Sequence, residues 1–212
     1  ELGFRVKPVV TSVTVQTDKS FIDSHAVPPP VIKAQLEAAL QGTKPAAVKI
    51  GMLGTAETAG TVLSSLSGYC GPVILDPVLK SSSGGTLFSG RDIYRLFAIT
   101  TVLTPNLDEA AILTSRAMAS DKDEIKKQAE ILLAQGASAV LIKGGHADGV
   151  DCVDHVFSPE RHAKLVAPRL TQTKRGTGCT LSTAIACNLA SGHNLSEACR
   201  LAKDYVHQWL QR

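Results

Sequence analysis

Along the chain, short β-branched runs alternate with longer stretches of helical spacing, a rhythm that predicts βαβ units around a mostly parallel sheet. Valine and threonine dominate 9–15, which predicts a buried strand. After prolines at 28–30, Val31, Ile32, Leu36, Ala39 and Leu40 recur at helical spacing, and proline favours a helix entry. Strands follow at 47–50, broken by Gly51, and at 72–76, ended by Pro77; between them Thr55 caps a helix to about Ser67. A short strand at 101–103 closes at Pro105, and a helix begins near Leu107. The next helix starts at Ser120 with Asp123 and Glu124 in its first turn, and Gly136 stops it before a strand at 139–142. Runs at 153–157 and 163–166 suggest a hairpin at one sheet edge, and helices at 179–190 and 196–211 complete the pattern.

No repeat or linker interrupts the 212 residues, so one domain over 1–212 is the economical reading. Aromatic residues make up only 4% with one Trp, which argues against a base-stacking nucleic-acid platform. The net charge of +3 is scattered, so no polyanion-binding surface is expected. Five cysteines, an odd number without a CxxC pair, argue against a disulfide framework or zinc cluster and fit a reducing, cytoplasmic setting. No apolar run approaches a membrane span, and no membrane partner is expected. The opening Glu1-Leu2-Gly3-Phe4-Arg5 resembles neither a signal peptide nor an initiator segment, so the chain is expected to begin inside a longer protein.

The residues that carry chemistry fall where strands end and helices begin, the ligand edge of an open parallel sheet. Lys174-Arg175-Gly176-Thr177-Gly178-Cys179-Thr180 opens a helix. Its glycines let the backbone approach an anion, and the free N–H groups of the helix start supply donors. That field would stabilise a thiolate at Cys179, which could then accept a proton from a substrate hydroxyl; the plainer alternative is a buried Cys in a tight turn. No Walker A pattern occurs. In Thr104-Pro105-Asn106-Leu107-Asp108-Glu109, the Asn-x-x-Glu spacing serves either Mg²⁺ near nucleotide phosphates or a capping box. Asp76 ends a strand, where function and structure compete evenly. Lys143, before Gly144-Gly145, can reach phosphate as a point charge or lie solvated at a strand end, and His146 is a weak loop candidate.

Together and in this order the segments VVTSVTVQT (9–17), KIGMLGT (49–55), VILDPV (73–78), SGGTL (83–87), LTPNLDEA (103–110), VLIKGGH (140–146) and GTGCTLSTAIACNLA (176–190) resemble the ribokinase superfamily. They are most similar to its hydroxymethylpyrimidine/phosphomethylpyrimidine kinases of thiamine synthesis, with vitamin B6 kinases next. The Cys of GTGC, where sugar kinases carry Asp, points to the pyrimidine branch. The resemblance implies an α/β fold, a ribokinase-like three-layer α/β/α sandwich around a mostly parallel sheet. It implies ATP-dependent phosphorylation of a hydroxymethyl group and then of the monophosphate, with ATP and Mg²⁺ required. By the same resemblance Gln16 reads the aminopyrimidine edge, and Met52 and Val78 line the ring pocket. Asp76 and Glu109 position Mg²⁺, and Asn106, Lys143 and Thr177 surround the nucleotide phosphates. Gly176, Thr177, Gly178 and Cys179 form the anion hole, with Cys179 as base.

Three departures stand out. No glycine-rich GGAG(I/V)QAD-like turn precedes Glu1, the family's C-terminal segment is absent, and Leu79-Lys80 replaces the usual Met and small residue. The domain is therefore expected to be incomplete at both ends, and a sheet genuinely lacking the first segment would miss a central strand and leave unpaired edges. Rival readings are a pyridoxine/pyridoxal kinase of the same fold and a truncated, non-catalytic ligand-binding relic. A Cys179 hydrolase lacks a partner, since His193 lies past the far end of the same helix. The partners expected are ATP and a small aminopyrimidine alcohol or its phosphate, and an edge-paired homodimer is the assembly such sheets favour.

Overall fold

The computed structural model describes residues 2–17, 20–79, 88, 91–145 and 149–212. Eight strands are β1 (Ser12–Gln16), β2 (Phe21–Ala26), β3 (Val48–Ile50), β4 (Val73–Leu75), β5 (Val102–Leu103), β6 (Val140–Ile142), β7 (Asp151–Phe157) and β8 (His162–Pro168). Six helices are α1 (Pro29–Leu40), α2 (Ala56–Ser65), α3 (Leu107–Thr114), α4 (Lys122–Ala134), α5 (Thr177–Ala190) and α6 (Leu195–Gln211). A 3₁₀ segment, Arg91–Ile99, leads into β5. The main sheet runs β3-β4-β5-β6-β7-β8, with β3 to β6 parallel and the β7–β8 hairpin antiparallel at the edge, as the sequence pattern implies. These strands hydrogen-bond in unbroken succession.

The parallel strands are short continuous apolar runs because both of their faces are covered. Alternate side chains divide between two cores. Val73, Leu75, Leu103, Val140 and Ile142 pack with α1 to α4, while Ile74, Val102 and Leu141 pack with α5 and α6. This makes three layers, helix on sheet on helix, which is the expected architecture. The period of two then decides where polar residues go at the strand ends. Asp76 follows Ile74, Thr104 follows Val102 and Lys143 follows Leu141, each two positions on, so all three turn to the α5 side. Lys49, paired in register with Ile74, shares that side.

Helix starts obey local chemistry. Thr55, Asn106, Asp121 and Asn194 accept hydrogen bonds from first-turn N–H groups of α2, α3, α4 and α6.

One expectation fails. The run at 9–15 is not a buried strand: among the described residues β1 pairs only with β2 in a separate two-stranded hairpin, and Val13 and Val15 are 56% and 45% exposed. The alternation that suits a half-buried surface is present, but nothing among the described residues covers its outer face.

The two environments predict opposite costs. Leu141→Ala and Ile142→Ala, on opposite faces of the same fully buried strand, should each destabilise by about 2–5 kcal/mol. Val13→Ala should fall within about 0.5 kcal/mol of wild type. Urea unfolding midpoints check this, and a cheap Leu141→Ala would refute two-sided burial.

Candidate active site

Asp76 leaves the end of β4 almost fully buried, at 2% exposure. A carboxylate so placed must be compensated. Its Oδ1 accepts from Lys143 Nζ at 2.9 Å, while Oδ2 lies 3.3 Å from the Ser182 hydroxyl and 3.7 Å from Lys49 Nζ. The Thr104 hydroxyl lies at the limit of hydrogen bonding, 3.5 Å from Oδ1. Burial alone would raise the Asp76 pKa, but Lys143 and Lys49 outweigh it and hold the carboxyl below its ordinary value. Lys143 stays protonated for the reciprocal reason: burial disfavours its charge, and Asp76 and Glu109 more than restore it.

Lys143 is delivered by sheet geometry. Beyond the end of β6 its N–H still donates to Pro105 O at 2.8 Å, continuing the parallel pairing so that Asn106 and Lys143 lie side by side. Asn106 and Glu109 form a full capping box: the Asn side chain accepts from Glu109 N, and Glu109 Oε2 accepts from Asn106 N, both at 2.8 Å. Glu109 also approaches Lys143 at 3.8 Å. Burial pushes its pKa up, with Lys143 and the backbone donors of Asn106 and Leu79 offsetting only part.

The start of α5 differs from the capped helices. Gly176 stands at its N-cap with φ +81°, a left-handed conformation that costs glycine little, and no side chain caps the first turn. The N–H groups of Thr177, Gly178 and Cys179 thus lack the intrahelical acceptors available further along, and they face the Asp76–Lys143 cluster. Contact is close: a Cβ on Gly178 would stand 3.1 Å from Lys143 Nζ. Cys179 is exposed to the cleft, near enough to Asp76 for the carboxylate to act on its thiol. The expectation that this helix start favours a thiolate is not met. Desolvation raises the Cys179 pKa and Asp76 adds to it, more than Lys49 and Lys143 lower it.

These groups open into a cleft of about 970 Å³, whose lining also includes the apolar Ala167, Pro168, Leu170, Val206 and Leu210. A polar cluster of paired charges and free N–H donors joined to apolar lining suits a phosphorylated ligand with a flat heterocyclic end. The profile of the phosphomethylpyrimidine kinase family matches residues 1–212. The chain belongs to that family. It is 38% identical over 211 residues to the hydroxymethylpyrimidine/phosphomethylpyrimidine kinase of Rhizobium meliloti, covering 97% of this chain and 79% of the relative. The phosphomethylpyrimidine kinase structure from Clostridium difficile superposes with TM-score 0.80 at 31% identity, over 95% of this chain and 85% of that one. The pyridoxal kinase of Staphylococcus aureus in complex with pyridoxal gives TM-score 0.86 at 29% identity, over 96% and 76%.

Of the residues singled out in sequence, Asp76, Val78, Asn106, Glu109, Lys143, Gly176, Thr177, Gly178 and Cys179 all line this one cleft of the kinase. Thr177 turns its hydroxyl back to Lys174 O at 2.7 Å. Gln16 and Met52 do not line it. The Gln16 amide accepts from Arg175 Nη2 at 2.9 Å and donates to Thr14, while Arg175 also bonds Thr17 O, so the exposed hairpin is tied to the segment that leads into α5. Met52 follows β3, with its carbonyl accepting from Thr11. His146, the residues 83–87 and Lys80 lie outside the described residues.

Sequence reasoning missed Lys49, Ser182 and a second buried pair. Lys203 Nζ in α6 donates to Asp154 Oδ2 at 2.7 Å and to Cys152 Sγ at 3.1 Å, and Asp154 Oδ1 accepts from Gly144 N at 2.9 Å, beside Lys143. The signals existed: Lys49 sits inside an apolar strand, and Lys203 falls in the apolar stripe of Cys199, Ala202 and Val206. Burial opposes the Lys203 charge, but Asp154 raises its pKa above the ordinary lysine value. The pair's contribution to stability is therefore intact at neutral pH and lost only as pH climbs through the raised value.

Asp154→Ala in the kinase would strand Lys203 in the wall of the cleft, and should destabilise by about 3–5 kcal/mol. Adding Lys203→Met should recover most of that loss. A double-mutant cycle from urea unfolding measures the coupling, and additive losses would show that the pair is not one unit.

Proposed function

We propose that this chain transfers the γ-phosphoryl group of ATP to the hydroxymethyl oxygen of 4-amino-5-hydroxymethyl-2-methylpyrimidine and then to the resulting monophosphate, in thiamine biosynthesis. The observation that supports it most is the meeting of a buried Asp76–Lys143 pair with the uncapped start of α5, in a cleft with apolar as well as polar lining.

In this reading the heterocyclic base of ATP lies against the apolar lining and its phosphates approach Asn106, Lys143 and Thr177. The N–H groups of residues 177–179 hold the oxygens of the transferring group, where charge-assisted hydrogen bonds are strongest. The acceptor oxygen bonds to the γ-phosphorus, the bond from that phosphorus to the bridging oxygen breaks, and ADP departs. Cys179, as thiolate, takes the hydroxyl proton. Little covalent work falls to the protein in such a transfer, so position and charge matter most. Gln16 and Met52, on the hairpin side of Asp76, contact the pyrimidine together with Val78.

Among the described residues no group of three or more His, Cys, Asp or Glu could hold a metal, and both Asp76 and Glu109 are already engaged by Lys143. This donor set fits Mg²⁺ held chiefly by phosphates and waters, with Asp76 and Glu109 reaching it through those waters. Bound with ATP, the ion would neutralise charge on the phosphoryl oxygens.

The test offers ATP with the pyrimidine alcohol, its monophosphate and pyridoxal in parallel. Turnover on the pyrimidines is expected. Turnover on pyridoxal alone would favour the alternative suggested by the close superposition on pyridoxal kinase. Cys179→Ala should lower kcat by about 10²–10⁴-fold without unfolding the protein. Because the thiol pKa is raised, wild-type rate should keep rising into alkaline pH, and the variant should lack that limb. Wild-type turnover in Cys179→Ala would remove Cys179 as base.

A further inference from the structure

Lys49 has no part in the steps above, yet its placement is demanding. Its side chain is 22% exposed, and its ammonium stands 3.7 Å from Asp76 Oδ2, on the opposite carboxylate oxygen from Lys143. Among the described residues that ammonium makes an ion pair but no protein hydrogen bond, so its N–H groups can donate to a ligand. It does not line the cleft assigned to the nucleotide. A side chain at position 51 would overlap the ammonium, so Gly51 leaves the space that Lys49 occupies. Two cations thus flank one carboxylate, Lys143 toward the nucleotide and Lys49 toward β3 and the hairpin.

The two transfers differ in charge. In the first, a neutral alcohol meets the γ-phosphoryl group. In the second, the acceptor oxygen belongs to a phosphate monoester carrying about −1.5 to −2 charge near neutral pH. Two unit negative charges held about 4 Å apart near a protein surface repel enough to slow a step by about a thousandfold. Lys143 and the start of α5 already face the donor phosphates, so the second transfer needs another cation on the acceptor side.

We propose that Lys49 is that cation: it binds the phosphate of the phosphorylated acceptor, making this chain competent for an anionic acceptor as well as a neutral alcohol. The inference rests on the kinase reading above and extends it to substrate charge. A hydrogen-bonded ammonium–phosphate contact predicts a selective effect. Lys49→Met should lower kcat/KM for the monophosphate by about 10–100-fold, mainly through KM, with a loss on the alcohol at least about tenfold smaller. Lys49→Arg, which keeps the charge, should restore most of the monophosphate activity.

The experiment is steady-state ADP release by wild type, Lys49→Met and Lys49→Arg, with alcohol and monophosphate each supplied alone. Equal losses on both acceptors, no loss on the monophosphate, or failure of Lys49→Arg to rescue would each overturn the proposal, since a merely structural role would not separate the acceptors. Wild type inactive on both acceptors would instead overturn the kinase reading itself.

Discussion

The Asp76–Lys143 ion pair is the constraint around which the site is arranged. A charged carboxylate at 2% exposure survives only if several elements surrender polar groups to it. Here β3 gives Lys49, β6 gives Lys143 and α5 gives Ser182, with Thr104 from β5 at the margin. The contributors from the strands are placed by the same period-two alternation that fills the core beneath them, so packing and chemistry there share one geometric cause. The helix start that faces the pair has no side-chain cap and is opened by a left-handed glycine. Paired charges beside unfilled N–H donors are what a transferring phosphoryl group requires.

Much of this was legible because its signals are local. Buried parallel strands read as short apolar runs, Thr55 and Asn106 advertise helix starts, and Gly136 marks a stop. The hairpin was misjudged because its valines look like core when counted along the chain, whereas their exposure depends on what another element fails to cover. Its second arm, Phe21–Ala26, carries Asp23, Ser24 and His25 and gives little strand signal. The 3₁₀ segment was invisible for a different reason: its buried Ile93, Leu96 and Phe97 are too few to separate a helical period from chance.

Within the site, residue types were legible but their electrical state was not. Proximity to a helix start argues for a thiolate at Cys179, but burial opposes it and Asp76, from the end of β4, adds to that, and no spacing reveals either. Glu109 shows the same limit in reverse. Its capping role and its closeness to Lys143 coexist in one carboxylate, so the two readings of Asn-x-x-Glu were never exclusive. Lys203 needed Asp154 to be intelligible, and that partner lies 49 residues away.

The contacts that assemble the cluster are distant in the chain: Lys143 and Ser182 reach Asp76 across 67 and 106 residues. Parallel strands likewise pair only after long connections close, which makes such topologies slow to complete. A half-folded chain, with its first strands formed but α5 not yet docked, would hold neither the free N–H donors nor the full set of cations. On the proposed reading, a chain in that state would lack the groups that activate a phosphoryl bond, so turnover needs every contributor to the cluster in place.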